Sequence, residues 1–465
     1  MRAELGIVVL ALGLWLAGAA ILLGAGVMQL SRRSVLVWSG ASYLVGVAAV
    51  GLLLTLATIA GVRGSTPLTA LAIGLVALAG AACARLVRVP ALPPRELPRD
   101  RGFRIFAAVV FGLFLVGGTG VALVMPIAYH DAWAIWDTKS LLLYDHGTIP
   151  AEFTRGAYAF SHPDYPILWP VLEAAHYRVM GGPEPKLVTL PHWLLYVGFA
   201  GTVAAVGARL TRPALWVPIA LGTLLTYSIF DQLFWHYADV PTAALLGGGA
   251  LFGGLWVAGH GTRWLVPCAV LLAAAANGKN EGLTAAGAVV AALFVAALLA
   301  GPGLRRRAVL SAVGLAVFVG AAVLPWRLWL SANDVEGDIK ASRALDPGAL
   351  SDASGRVEPT ATRLWDTITN PRQWGYIVFA ALVLIGVALA RRATRRLGAY
   401  YGVTGGLVFF FLLLAYWVAE TDLNWHLNTS ADRVVHLVGF AAIAATLHLA
   451  AALYEERADE EVADP

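Results

Sequence analysis

Five short stretches of the sequence put carboxylates, histidines and cations beside long apolar runs. "YHDAWAIWDTKS" supplies His130, Asp131, Asp137 and Lys139, and "SHPDYPILWP" supplies His162 and Asp164. "FDQLFWHYADVPTA" supplies Asp231, His236 and Asp239, and "NGKNEGL" supplies Lys279 and Glu281. "ETDLNWHLNTSADRVVHL" adds Glu420, Asp422, His426, Asp432 and Arg433. Ionisable groups at membrane depth are expensive, so those that persist are candidates for function. The mixture fits one kind of chemistry. A carboxylate takes a proton from an incoming nucleophile, and cations neutralise a phosphate and its leaving group. The interleaved tryptophans give amphipathic faces suited to sugars and prenyl chains.

Each piece alone also has a plain structural reading. Asp131 and Asp137 could be solvated loop carboxylates. His162 and Asp164 could belong to a turn set by Pro163 and Pro166. Asp239 could be a helix N-cap, with Pro241 in the first turn. Lys279 and Glu281 could neutralise one another, and Arg433 could be an interface anchor. The joint placement carries the inference.

The elements that must position these residues are membrane spans. The chain has 465 residues, of which 59% are hydrophobic and 13% charged, and its mean hydropathy is +0.71. A soluble domain carries about 25% charged residues. Runs of about 20 apolar residues predict an all-α polytopic membrane protein, with about thirteen spans: 4–30, 34–62, 67–88, 103–128, 187–210, 213–232, 238–258, 263–278, 282–301, 307–331, 374–391, 397–419 and 434–454. The first run is too long for a signal-peptide core and reads as an anchor. Cys83 and Cys268 both lie in apolar runs, which gives no disulfide framework and no metal-ligand spacing. The net charge of +4 is small and follows from topology, so no nucleic-acid partner is expected.

Numbering the connections alternately puts most arginines on one side: Arg32, Arg33, Arg85, Arg88, Arg95, Arg99, Arg101, Arg104, Arg209, Arg212, Arg263, Arg305 to Arg307, Arg391, Arg392, Arg395, Arg396 and Arg457. The other side, its two long loops apart, receives Arg2, Arg63, Lys279, Arg327 and Arg433. The basic side is read as cytoplasmic. That predicts the N-terminus outside, the C-terminus and a tail over 455–465 inside, and all five chemistry-bearing stretches on the outer face. Two long outer loops follow, 129–186 and 332–373. The first contains "YPILWPVLEAAHYRVM", expected to lie along the membrane surface or to dip in as a short amphipathic helix. The second is polar and reads as a flexible loop.

The order of an acid after a span, "W..W..K", "HPDYP", "ADVP", "KNEG" and a late "WHL.TS.DR" resembles the GT-C superfamily of membrane glycosyltransferases. The bacterial branch resembling protein O-mannosyltransferases and lipid A aminoarabinose transferases is nearest. The resemblance covers roughly 125–435. It implies a GT-C-like catalytic core over 103–454 in a bacterial plasma membrane, with short interfacial helices in the large outer loop. It implies transfer of a sugar, with inversion, from a polyprenyl-phosphate donor to a protein, lipid or glycan hydroxyl on the extracytoplasmic face. Carried over, Asp131 is the catalytic residue, as general base toward the acceptor hydroxyl or as the group that positions the acceptor. Lys279 and Arg433, with His162, Lys139 and His426, hold the donor phosphate. Asp137, Asp164, Asp239 and Glu281 orient acceptor or sugar hydroxyls, or, for Asp239 and Glu281, hold the cations in place. Residues 1–90 depart from the family pattern and read as an added three-span module. No HExxH spacing is present; no obligatory cofactor is expected, and a divalent ion bridging phosphate and carboxylate stays open. The Ala, Gly, Arg and Val bias of a high-GC bacterium points to decaprenyl-phosphate mannose or arabinose as donor. Two other readings stay open: a ligase or polymerase of lipid-linked glycans, and a transporter or flippase of a lipid-linked sugar.

Overall fold

The computed structural model describes residues 2–86, 101–155, 160–184, 186–337 and 341–463. Arg88, Arg95 and Arg99 of the charge tally lie outside the described residues, as do the side chains of Arg2, Arg101, Arg104 and Arg457. Among the described residues the regular structure is helical, with no strand. Among the described residues, ten helices are long and apolar enough to cross a membrane. Pro213–Leu224 and Tyr227–Leu233 form a pair bent by 43° that passes the same test together. The expected spans near 263–278 and 374–391 are the shorter apolar helices Thr262–Ala276 and Ile377–Ala390, below the roughly 20 residues of a full crossing. The chain is a polytopic all-α membrane protein with about ten long apolar helices.

Asp239–Val257 is the central helix, and all of its residues are buried. It packs on Leu265–Ala276, His436–Ala463 and Thr189–Leu210. A triple glycine makes this enclosure possible. A Cβ at Gly247 would meet Phe199 at 2.8 Å, one at Gly248 Leu44 at 2.7 Å, and one at Gly249 Leu272 at 2.7 Å. Small residues that let helix backbones approach are the usual basis of helix association in lipid.

The two ends of the bundle differ in charge. At one end Arg263 donates to the carbonyl of Gly26 at 3.1 Å, Arg391 pairs with Glu456 at 3.3 Å, and Arg396 lies over Trp256. The chemistry-bearing stretches meet at the opposite end. His436–Ala463 runs on through most of the expected tail.

The three N-terminal spans are fitted to the core. Arg2–Gly24 and Ser39–Ile59 pack on each other and on Leu168–Met180. That helix does not lie exposed along the surface; it is buried along nearly its whole length, because the first two long helices cover it. Gly51 receives Leu168 and Leu172 side chains, and the Thr66 hydroxyl donates to the carbonyl of Arg178 at 3.3 Å. The module at 1–90 therefore buttresses the first long loop.

The second long loop also differs from expectation. Its described part folds into short helices, the longest being Val357–Thr369. Leu364 and Ile368 of that helix are buried, and it packs on Arg395–Val418 and Leu423–Val434. Its polar face makes the segment look like open loop in sequence, while the apolar side recurs every three to four residues.

Candidate functional site

Asp131 lies in the break between Arg101–Val124 and a short π-helix, Ala132–Asp137. A π-turn is an uncommon distortion that recurs at functional sites. Arg433 is in the last turn of Leu423–Val434, a helix capped at its start by Asp422, which accepts from the Trp425 amide at 2.8 Å. The two residues are 302 positions apart, yet Arg433 donates to Asp131 Oδ2 at 2.5 Å. The Arg433 guanidinium also lies 4.7 Å from the Tyr237 ring centre and within electrostatic reach of Asp239. His130 Nδ1 is 3.3 Å from the other Asp131 oxygen. Burial works to raise the Asp131 pKa, but the charge and hydrogen bond of Arg433, with His130, outweigh it and hold the carboxyl below its ordinary value. Asp131 is an anion at neutral pH.

Lys279 stands at the junction between Leu265–Ala276 and Asn280–Leu298. It donates to Asp239 Oδ1 at 2.7 Å and lies 3.2 Å from Glu281 Oε1. Burial works against its charge, but Asp239 and Glu281 prevail and leave the ammonium's pKa raised. The pairing of Lys279 and Glu281 is thus present, with Asp239 as the closer partner. Asp239 is the first residue of its helix, and no side chain caps that end. Its carboxylate is engaged by Lys279 instead.

A third group adjoins. Asp164 Oδ2 accepts from Asn280 at 2.7 Å, Asn280 accepts from Arg327 at 2.9 Å, and Trp326 donates to the Asp164 carbonyl at 3.2 Å. Arg327 and Trp326 arrive from Pro302–Ala332, a helix of 31 residues. At 1.5 Å per residue it is about 46 Å long, well beyond a hydrocarbon core of about 30 Å. Lys139 is fully buried. It donates to the His162 carbonyl at 2.7 Å and lies over Trp136 and Tyr165. Lys279 reaches the same Tyr165 ring at 5.9 Å, and the His162 ring stacks on it at 5.1 Å. His162 holds a left-handed backbone at φ 53°, a conformation uncommon for a residue with a side chain. His426 packs its ring on Tyr416 at 4.4 Å, near the field of Glu281, Lys279 and Arg433.

Asp137 is turned elsewhere. The Tyr177 hydroxyl donates to it, and its electrostatic neighbours are Glu173 and His236. Burial, partly offset by Tyr177, leaves its pKa raised. Of the expected residues, Asp131, Arg433, Asp239, Lys279 and Glu281 form one continuous charged cluster. Asp164, Lys139 and His162 join it through Asn280 and Tyr165, His426 borders it, and Asp137 lies beside Tyr177, Glu173 and His236. Asp432 and Glu420 make ion pairs with Arg363 and Arg343 of the second long loop.

Sequence reasoning missed several partners. Tyr237 was passed over as one aromatic among many, and Asn280 is a neutral residue that no charge pattern flags. Glu173 and His192 lie inside apolar helices, and their only signal was a polar residue amid buried neighbours. A charged cluster at one end of a polytopic helical bundle can bind an anionic headgroup and hold a carboxylate ready as a base. No protein-family model matches the chain, and neither does any curated protein or solved structure.

Proposed function

We propose that the protein is a polyprenyl-phosphate-sugar-dependent glycosyltransferase working on the extracytoplasmic face of a bacterial plasma membrane. The observation that carries this reading is the meeting of Asp131 with Arg433, beside Asp239 and Lys279, at the end of the bundle away from the arginine-rich connections. The chemistry follows from these contacts. The donor's anionic phosphate engages Arg433 and Lys279 in competition with their carboxylate partners. Loss of its arginine partner raises the proton affinity of Asp131 just when a base is needed. Asp131 then takes the acceptor hydroxyl proton, and the acceptor oxygen forms a bond to the anomeric carbon. The bond from that carbon to the phosphate oxygen breaks through an oxocarbenium-like state. The leaving phosphate keeps its electron pair against Arg433 and Lys279. Attack opposite the leaving group inverts the anomeric centre. Asp239 and Glu281 hold Lys279 in place, and Asp164 fixes Asn280 and Arg327 at the rim.

The test is mass spectrometry of lipid co-purified with the protein, followed by binding of decaprenyl monophosphate to protein in nanodiscs. A bound polyprenyl monophosphate, with binding weakened in Arg433→Gln, supports the reading. A bound pyrophosphate lipid assigns the protein to ligases or polymerases of lipid-linked glycans. Binding of decaprenyl monophosphate that Arg433→Gln leaves unchanged rejects the phosphate assignment.

A further inference from the structure

Behind the charged cluster lies a second group of ionisable side chains that the proposed transfer does not use. Glu173 comes from the middle of Leu168–Met180, His192 from the first turn of Thr189–Leu210, and His236 from the turn before Asp239–Val257. All three are buried, His236 completely. His236 Nε2 is 3.1 Å from Glu173 Oε1, and His192 Nε2 is 3.9 Å from the same oxygen. The two imidazole rings are 4.3 Å apart at their centres. One donor atom from each residue fits within a circle of mutual distances below 4.8 Å. His236 is held there by a left-handed backbone, φ 61°, a strained conformation for a residue with a side chain.

These atoms face one another. Glu173 Oε1 has His236 Nε2 as its close polar neighbour, while His236 Nδ1 is buried with no hydrogen-bond partner. Buried polar atoms are nearly always partnered, so a carboxylate and two imidazoles converging from three segments, with His236 Nδ1 left unpartnered, call for a further partner. A proton on one histidine would serve one of these contacts. A divalent cation at the centre takes Glu173 Oε1 and one nitrogen of each ring at once. The spacing suits it: tetrahedral zinc with ligands at about 2.0–2.1 Å puts neighbouring donors about 3.3 Å apart, between the two separations observed. Two imidazoles and one carboxylate are a known zinc set that leaves a fourth position for water. The second carboxylate oxygen is already held, because Ser140 donates to Glu173 Oε2 at 2.5 Å, as the outer partner of a ligating carboxylate should. A small cavity lined in part by Trp169, Leu172, Glu173, His176 and His192 adjoins the group.

We infer that Glu173, His192 and His236 bind one first-row divalent cation, zinc by ligand type, as a structural clip. It would tie Leu168–Met180 and Thr189–Leu210 to the turn carrying Tyr237 and Asp239. Through Ser140 it would also fix the helix that bears Lys139. The inference is independent of which reaction the protein catalyses.

The test uses the full chain, purified through a tag without histidines, loaded with zinc chloride, desalted and assayed for metal by mass spectrometry. The expected result is one zinc per chain, falling below about a tenth of that in Glu173→Gln and His236→Asn. Because either variant can fail to fold, Ser140→Ala is the gentler probe. It leaves all three ligands in place and removes one hydroxyl, with its bonds to Glu173 Oε2 and to the Trp136 carbonyl. Its zinc affinity, measured against a competing chelator, should fall by about 10- to 100-fold. Exchange with cobalt should give the visible spectrum of a tetrahedral nitrogen–oxygen site. Wild-type protein that keeps no zinc after loading overturns the inference. So does zinc content that is unchanged in folded Glu173→Gln, or zinc affinity that is unchanged in Ser140→Ala.

Discussion

Replacing Asp131 by asparagine separates a catalytic role from a structural one. Asparagine has nearly the same shape, and its carbonyl oxygen can still accept from Arg433. Arg433 also keeps the Tyr237 ring at 4.7 Å and the nearby charge of Asp239. The Asp131 side chain is 29% exposed, so the lost ionic part of the pair is on the scale of a partly solvated bridge, about 0.2–1 kcal/mol. The chemical loss should be far larger. A positioned general base contributes about 10²- to 10⁴-fold, equivalent to about 2.7–5.4 kcal/mol at 1.36 kcal/mol per tenfold. The assay is transfer of radiolabelled mannose or arabinose from decaprenyl monophosphate to membranes lacking this protein. Thermal unfolding of the same preparation is measured in parallel. The expected result is a 10²- to 10⁴-fold fall in transfer rate with a melting temperature close to wild type. Transfer within about twofold of wild type refutes the base assignment. A large fall in melting temperature with proportionate loss of activity refutes it in favour of a structural ion pair.

Lys279→Met should leave Asp239 without its cation in a buried setting and cost about 3–5 kcal/mol, read as loss of monodisperse protein after detergent extraction; Lys279→Met combined with Asp239→Leu should recover much of it. The pH dependence follows from Asp131 and Lys279. The Asp131 pKa is lowered on folding, so its contribution to stability is complete above the ordinary carboxylate value of about 3.9 and is lost as pH falls through the lower folded value. The Lys279 pKa is raised, so its contribution is complete below about 10.4 and lost as pH rises through the higher folded value. Melting temperature should therefore owe no slope to either group between about pH 5 and 9, and a step there that Asp131→Asn abolishes would contradict the ion-pair geometry. Gly18→Leu should disrupt the N-terminal bundle, because even a Cβ there would lie 1.8 Å from the Ser42 carbonyl oxygen; the check is proteolytic sensitivity of the 129–186 loop, which that bundle supports. Trp326→Phe, which deletes the hydrogen bond to the Asp164 carbonyl, should destabilise by about 1 kcal/mol in thermal unfolding.

Much of this arrangement was legible in the sequence because lipid imposes simple rules. Apolar runs located every long helix, and the arginine alternation assigned the charged stretches to one end of the bundle. Asp131 and Arg433 could be placed on the same side, but their direct contact could not be read. It depends on how Leu423–Val434 packs against the segment after Arg101–Val124. Hydropathy does not reveal which helix covers which, so the burial of Leu168–Met180 by the N-terminal helices is not legible in the sequence: its polar residues Glu173 and His176 look solvated until the covering helices are in place. Val357–Thr369 was read as loop because one apolar stripe in a polar segment is a weak signal. The Glu173, His192 and His236 group carries no motif at all, since its members come from three elements and meet only through the fold.

The most direct test of the central claim is a cryo-EM structure of the full chain with decaprenyl monophosphate in nanodiscs. The account predicts the phosphate within hydrogen-bond distance of Arg433 and Lys279, with Arg433 drawn off Asp131 and the prenyl chain leaving sideways into lipid. A phosphate bound at the arginine-rich end of the bundle, or bound with the Asp131–Arg433 pair intact and out of reach, would contradict it.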